Sequence, residues 1–214
     1  MRNASNHSGS VRGGNRSGKI FITIGVVLIL AALLLLVYNE YQDYRAGQQA
    51  ELLMGELQTV MAGERGGHEV DLSTLDLEMP EVKIDGYGYI GYVTIPSLEL
   101  ELPVMGEWDY YRLSVAPCRH FGSARTDDLV IAAHNFKKHF GLLSKLEPGA
   151  AVIFTDMDQI EYHYELADIL TKSPDAVDDV LNSDYDLVLY TCTPGGATRV
   201  VAYFERVAVY QGEA

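Results

Sequence analysis

From Ile20 to Tyr38 the chain reads IFITIGVVLILAALLLLVY, with no charged residue and no proline. A helix rises 1.5 Å per residue, so this run spans about 30 Å, the thickness of a bilayer's hydrocarbon core. A buried core helix rarely stays uncharged for so long. A cleaved signal peptide has a shorter apolar region that ends at a small-x-small site. Here Leu33–Leu36 run straight into Val37-Tyr38-Asn39-Glu40. Residues 19–38 are therefore expected to form an uncleaved, single-pass signal anchor. Arg2, Arg12, Arg16 and Lys19 precede it with no acid among them. Positive charge stays on the cytoplasmic side, so the N-terminus is expected in the cytoplasm and everything after Tyr38 outside the cell.

The remaining residues are enough for one globular domain. Apolar residues make up 48% of the 214, which supports a sizeable core. The formal net charge is −14, and the basic residues at the N-terminus make the outer part more acidic still. That excludes a nucleic-acid binder, whose phosphate contacts need clustered Lys and Arg. An acidic surface leaves room for Ca²⁺ activation, yet no D-x-D-x-D-G loop is present, and a solvated face is the simpler reading. Two cysteines without a C-x-x-C pair give neither a disulfide scaffold nor a zinc site of the usual spacing.

Residues 1–18 are rich in Asn, Ser, Gly and Arg and are expected to be a disordered cytoplasmic tail. Residues 39–85 read as a helix, with Leu52, Leu53, Leu57, Val60 and Met61 at helical spacing, then a linker from Gly63 to Asp85. From residue 86 the texture changes to short strands: 89–95, 98–104, 129–133, 151–155, 160–169, 186–191 and 198–210. Pro96, Pro103, Pro148-Gly149 and Pro194-Gly195-Gly196 punctuate them. Short helical pieces fit 108–114, 140–145 and 175–182. Residues 86–214 are expected to be a mostly-β domain, closed or nearly closed into a barrel.

Cys192 ends the strand-like run Asp186–Thr191 and opens into Thr193-Pro194-Gly195-Gly196. A thiol at such a rim can reach a substrate; a buried, inert cysteine is the plainer alternative. Outside the cytoplasm a Cys118–Cys192 disulfide is a second alternative. His134 ends the apolar run Leu129–Ala133, where an imidazole is either an edge residue or a proton-transfer group. Arg199 follows Cys192 by seven residues across the Pro-Gly-Gly turn, and a hairpin of that length returns it beside the thiol. The alternative for Arg199 is a surface cation of little consequence. Cys118, His120, His134 and Cys192 match no zinc spacing.

Together these residues resemble a sortase. That family's signature, T-L-x-T-C at a strand end and an Arg on the next strand, is matched by Val188-Leu189-Tyr190-Thr191-Cys192 and Arg199, with Val in place of the first Thr. His134-Asn135 stands at a strand end before Phe140-Gly141-Leu142-Leu143, and Gly88–Pro96 with Leu102-Pro103-Val104 resembles the opening strands. The likeness covers about residues 86–210. It implies an eight-stranded β-barrel and a Gram-positive, membrane-anchored cysteine transpeptidase that needs no cofactor. It implies cleavage of a C-terminal Leu-Pro-x-Thr-Gly-like sorting motif through a thioacyl-enzyme. Cys192 would be the nucleophile, His134 the proton carrier and Arg199 the oxyanion or backbone donor, with Thr191 and Asn135 at the substrate. The acceptor would be an amine of the cell wall or a pilin subunit; without one, water would give thiol-protease hydrolysis. Thr191-Cys192-Thr193-Pro194 followed by Gly resembles class C, whose members usually add a C-terminal membrane segment not seen in this sequence. His134-Asn135 resembles class B, and the class, B, C or D, stays open. The rival reading is a non-catalytic, anchored barrel that binds wall polymer or peptide through its 14 tyrosines.

Overall fold

A computed structural model describes residues 16–63 and 76–211. The chain divides into two units, residues 1–41 and 42–214. Helix α1 runs from Arg16 to Gly63. Residues 16–18, expected in a disordered tail, are its first turn, and residues 1–15 lie outside the described residues. In the first unit the apolar side chains of Ile20–Tyr38 are exposed almost without exception. Protein covers none of that surface, which is what a membrane-crossing helix presents to lipid.

In the second unit, residues 42–63 of α1 bury Ala46, Ala50, Met54, Leu57 and Met61. Their spacing of four, four, three and four keeps them on one face. Two of these positions are alanines, and Leu52, expected in the apolar face, is exposed. The expected linker is ordered at its end. Residues 76–81 lie against the barrel with Met79 buried in its core, and Val82–Ile84 form strand β1. Residues 64–75 lie outside the described residues.

The barrel strands are β2 (Tyr87–Ile95), β3 (Leu100–Met105), β4 (Cys118–Phe121), β5 (Leu129–Ala132), β6 (Ala151–Asp156), β7 (Ile160–Lys172), β8 (Leu187–Cys192) and β9 (Arg199–Gln211). They are hydrogen-bonded in the order β2-β3-β4-β5-β8-β9-β7-β6, and β6 pairs back with β2 to close a ring of eight. β1 pairs with β2 outside the ring. The β3–β4 and β5–β8 pairs are parallel; the others are antiparallel. The short helices are α2 (Tyr110–Leu113) and α3 (Val177–Leu181), with a 3-10 turn at Leu143–Lys145.

Alternation builds the interior. On β7, Ile160, Tyr162, Tyr164 and Leu166 are buried, and Glu165 between them is exposed. They meet Leu129, Ile131, Leu187, Leu189, Ala202, Phe204 and Phe154 in the main core. Each large side chain taken from water contributes roughly 1.5–3 kcal/mol. On the outer face, Val130, Val188, Val201 and Tyr203 pack with Val180 of α3. β5, β8 and β9 are thus covered on both faces, which is why Leu129–Ala132 is apolar at every position.

Candidate active site

The turn between β8 and β9 is held by its own threonines. Thr193 N–H donates to Thr198 O at 3.0 Å, and Thr198 N–H donates to Thr193 Oγ1 at 3.1 Å. Gly195 and Gly196 have φ of 84° and 75°, left-handed values that favour glycine. Closing the turn this way makes Cys192 and Arg199 direct register partners across the hairpin. Arg199 turns back over the loop, and its Nη1 donates to Gly196 O and Thr198 O, both at 3.0 Å.

His134 arrives from the neighbouring parallel strand. β5 and β8 are in register at Ala132 and Tyr190. The pairing continues one step further, with Ala133 N–H on Tyr190 O at 3.1 Å and the Thr191 hydroxyl on Ala133 O at 2.8 Å. Two residues beyond the last register pair, the two chains reach His134 and Cys192. By alternation both belong to the outer face, with Val130 and Ala132 on one strand and Val188 and Tyr190 on the other. Thr191, the residue between, is buried and fastens the two strand ends together. Asn135 is half-buried in the loop after His134.

Cys192, Arg199 and Thr191 line a cavity of about 230 Å³. Its walls are Ala132 at the end of β5 and Ala133 just after it, the segment Lys172–Val180 leading into α3, and Trp108, Tyr110 and His120; His134 stands outside this lining. Burial lowers the His134 pKa below the ordinary imidazole value, so the neutral ring prevails at neutral pH. Cys192 is partly exposed, and Cys118 is fully buried among Met54, Leu57, Tyr89 and Met105. Both thiols are free, so the disulfide alternative falls. Burial pushes the Cys118 thiol up to about 12 and leaves it inert.

One side of this cavity is aromatic. Tyr190 lies two residues before Cys192, on the same face. Its hydroxyl is hydrogen-bonded to His120 Nδ1 at 2.7 Å, and His120 stacks on Trp108 with ring centres 4.9 Å apart. Parity with Cys192 was the available signal for Tyr190; nothing local marks His120, 70 residues away. Among the described residues no group of three or more His, Cys, Asp or Glu could hold a metal ion.

A sequence model of the sortase domain matches residues 93–210, more than half of the chain. The chain belongs to the sortase family. Sortase A of Bacillus anthracis is 26% identical over 188 residues, 81% of this chain and 87% of that protein. The crystal structure of sortase C-3 from Streptococcus pneumoniae has a TM-score of 0.52 and 25% identity, covering 78% of this chain and 86% of that one. Sortase C1 from Streptococcus agalactiae has a TM-score of 0.51 and 26% identity over 67% of this chain and 79% of that one. These relatives are named sortase A and sortase C, and class A is not among the classes B, C and D that the sequence features resemble. Sortases as a family are cysteine transpeptidases with a closed eight-stranded barrel.

Proposed function

We propose that this sortase is anchored by residues 19–38 with its N-terminus in the cytoplasm and residues 86–214 as an extracellular catalytic domain, joined by 39–85. It cleaves an LPxTG-like sorting motif and transfers the acyl group to an amine of the cell wall or a pilin subunit. The observation that carries the reading is the register pairing of Cys192 with Arg199, both lining one cavity beside the end of β5, the strand that leads into His134.

The His134 imidazole starts neutral, because burial lowers its pKa. As the Cys192 sulfur attacks the scissile carbonyl carbon, its proton passes to His134. The C–N bond breaks, the imidazolium gives that proton to the departing amine, and a thioacyl-enzyme remains. An incoming neutral amine then attacks the thioester. Its proton goes to His134 and on to the departing sulfur. One amide is exchanged for another with no redox change and no cofactor. Arg199 has N–H groups beyond the Nη1 bonds to its own loop, and one of them serves the oxyanion. An oriented donor of this kind contributes roughly 3–4 kcal/mol to the transition state. Thr191 holds the floor of the site and Asn135 faces the substrate.

The test is intact-mass spectrometry of the full chain in detergent with a panel of sorting peptides. An acyl adduct that maps to Cys192 and disappears in Cys192→Ala is expected. Iodoacetamide should modify Cys192 and spare buried Cys118. If no peptide forms an adduct and the two thiols react alike, the non-catalytic binding barrel is the better account.

A further inference from the structure

The loop that leaves His134 is held from outside by a helix some ninety residues earlier in the chain. Asp43 of α1 accepts the Lys137 backbone N–H at 2.9 Å, and its other carboxylate oxygen lies 3.5 Å from Lys137 Nζ. The Asp43 side chain is only 15% exposed, against 59% for Lys137. Small residues bring the helix this close. Ala46 and Ala50 are buried, and a Cβ on Gly47 would meet Lys138 Cγ at 3.1 Å. Ala50 enters the same core cluster as Ala133 and Phe140, which flank the loop.

The loop itself is tightly closed. Phe136 O accepts from His139 N–H and Gly141 N–H, both at 2.9 Å, and His134 O accepts from Phe140 N–H at 3.1 Å. The Phe136 ring sits 5.0 Å from the His134 ring and 5.6 Å from His139. Neither His139 ring nitrogen has a hydrogen-bond partner, so that ring is seated by packing. From α1, Asp43 adds a polar hold by accepting from the peptide N–H that follows Phe136.

We propose that Asp43 is a positioning residue for His134. By fixing the Lys137 N–H it fixes Phe136, and Phe136 sets the orientation of the imidazole. The inference rests on the transpeptidase reading only for its kinetic arm. Displacing a proton carrier by a fraction of an ångström slows chemistry without loosening substrate binding.

The test compares Asp43→Ala with Asp43→Asn in the full chain. Asparagine keeps an acceptor oxygen for the Lys137 N–H, and alanine removes it. Asp43→Ala should lower kcat for a sorting peptide about tenfold with KM unchanged, and Asp43→Asn should restore most of the rate. In chains labelled with ¹³C-histidine, the His134 ring signal, assigned by its loss in His134→Gln, should move or split in Asp43→Ala and keep its wild-type position in Asp43→Asn. If the His134 signal stays in place in Asp43→Ala, or Asp43→Asn is as impaired as alanine, the proposal is overturned. If wild-type protein turns over no sorting peptide, the transpeptidase reading fails, and the ring signal still decides the role of Asp43.

Discussion

His139 is a neutral imidazole with no hydrogen-bond partner for either nitrogen. Burial lowers its pKa to about 4, and the nearby His134 pushes it the same way. In the unfolded chain the group titrates near ~6.5. Between those values the unfolded state binds a proton that the folded state refuses, so stability falls as pH falls from about 6.5 to about 4. Above the window the group contributes no pH dependence. By pH 4.5 the loss from this residue is about 2–3 kcal/mol. Replacing His139 with leucine removes that titration. Denaturant titrations of both proteins at pH 7 and pH 4.5 should show the wild type losing about 2–3 kcal/mol more than His139→Leu on acidification. Equal losses would mean that the ring is solvated and free to charge.

Between elements, one cation does much of the fastening. Arg125, in the connection from β4 to β5, has a side chain only 4% exposed, and that of Asp156 at the end of β6 is fully buried. Arg125 Nη2 lies 2.8 Å from Asp156 Oδ2 and 2.5 Å from Asp158 Oδ2. Its Nη1 donates to Asp76 O at 2.9 Å and Glu78 O at 3.1 Å. The segment before β1 is thereby tied to the β6–β7 turn. Arg125→Met would strand a buried carboxylate and should cost about 3–5 kcal/mol. Adding Asp156→Asn, whose Oδ1 still accepts from Ile160 N–H and whose amide N–H can donate to the Tyr162 hydroxyl oxygen, should recover part of it. A loss under about 1 kcal/mol in thermal unfolding of the single variant would show that the pair is dispensable. This network was invisible in the sequence because its partners lie tens of residues apart. The strands that were legible carry their own pattern: β7 alternates, and β5 is apolar throughout because both its faces are covered. β4 was not legible. Four residues reading Cys-Arg-His-Phe have no period, and their place is set by pairing with β3 and β5. At the site, Cys192 and Arg199 could be paired from the turn between them. The parallel β5–β8 register that precedes His134 is encoded by no local spacing, so only the family resemblance suggests a role for His134.

Across the whole molecule the two thiols provide a built-in probe of the proposed topology. Cys192 lines a cavity open to reagents, and Cys118 is buried with its thiol pushed up to about 12. A maleimide reacts with thiolate, so Cys192 alone should report which side of the membrane the barrel occupies. The orientation depends on Arg2, Arg12, Arg16 and Lys19 before the apolar run, since cationic flanks resist translocation. In intact cells a membrane-impermeant maleimide should label wild-type protein and leave Cys192→Ala unlabelled. Changing Arg12, Arg16 and Lys19 together to glutamate should cut external labelling of Cys192 severalfold, with labelling restored once the cells are opened. Wild-type Cys192 that reacts only after lysis would put the barrel in the cytoplasm, where no wall amine or surface protein could reach it, and would remove the proposed acceptors along with the topology.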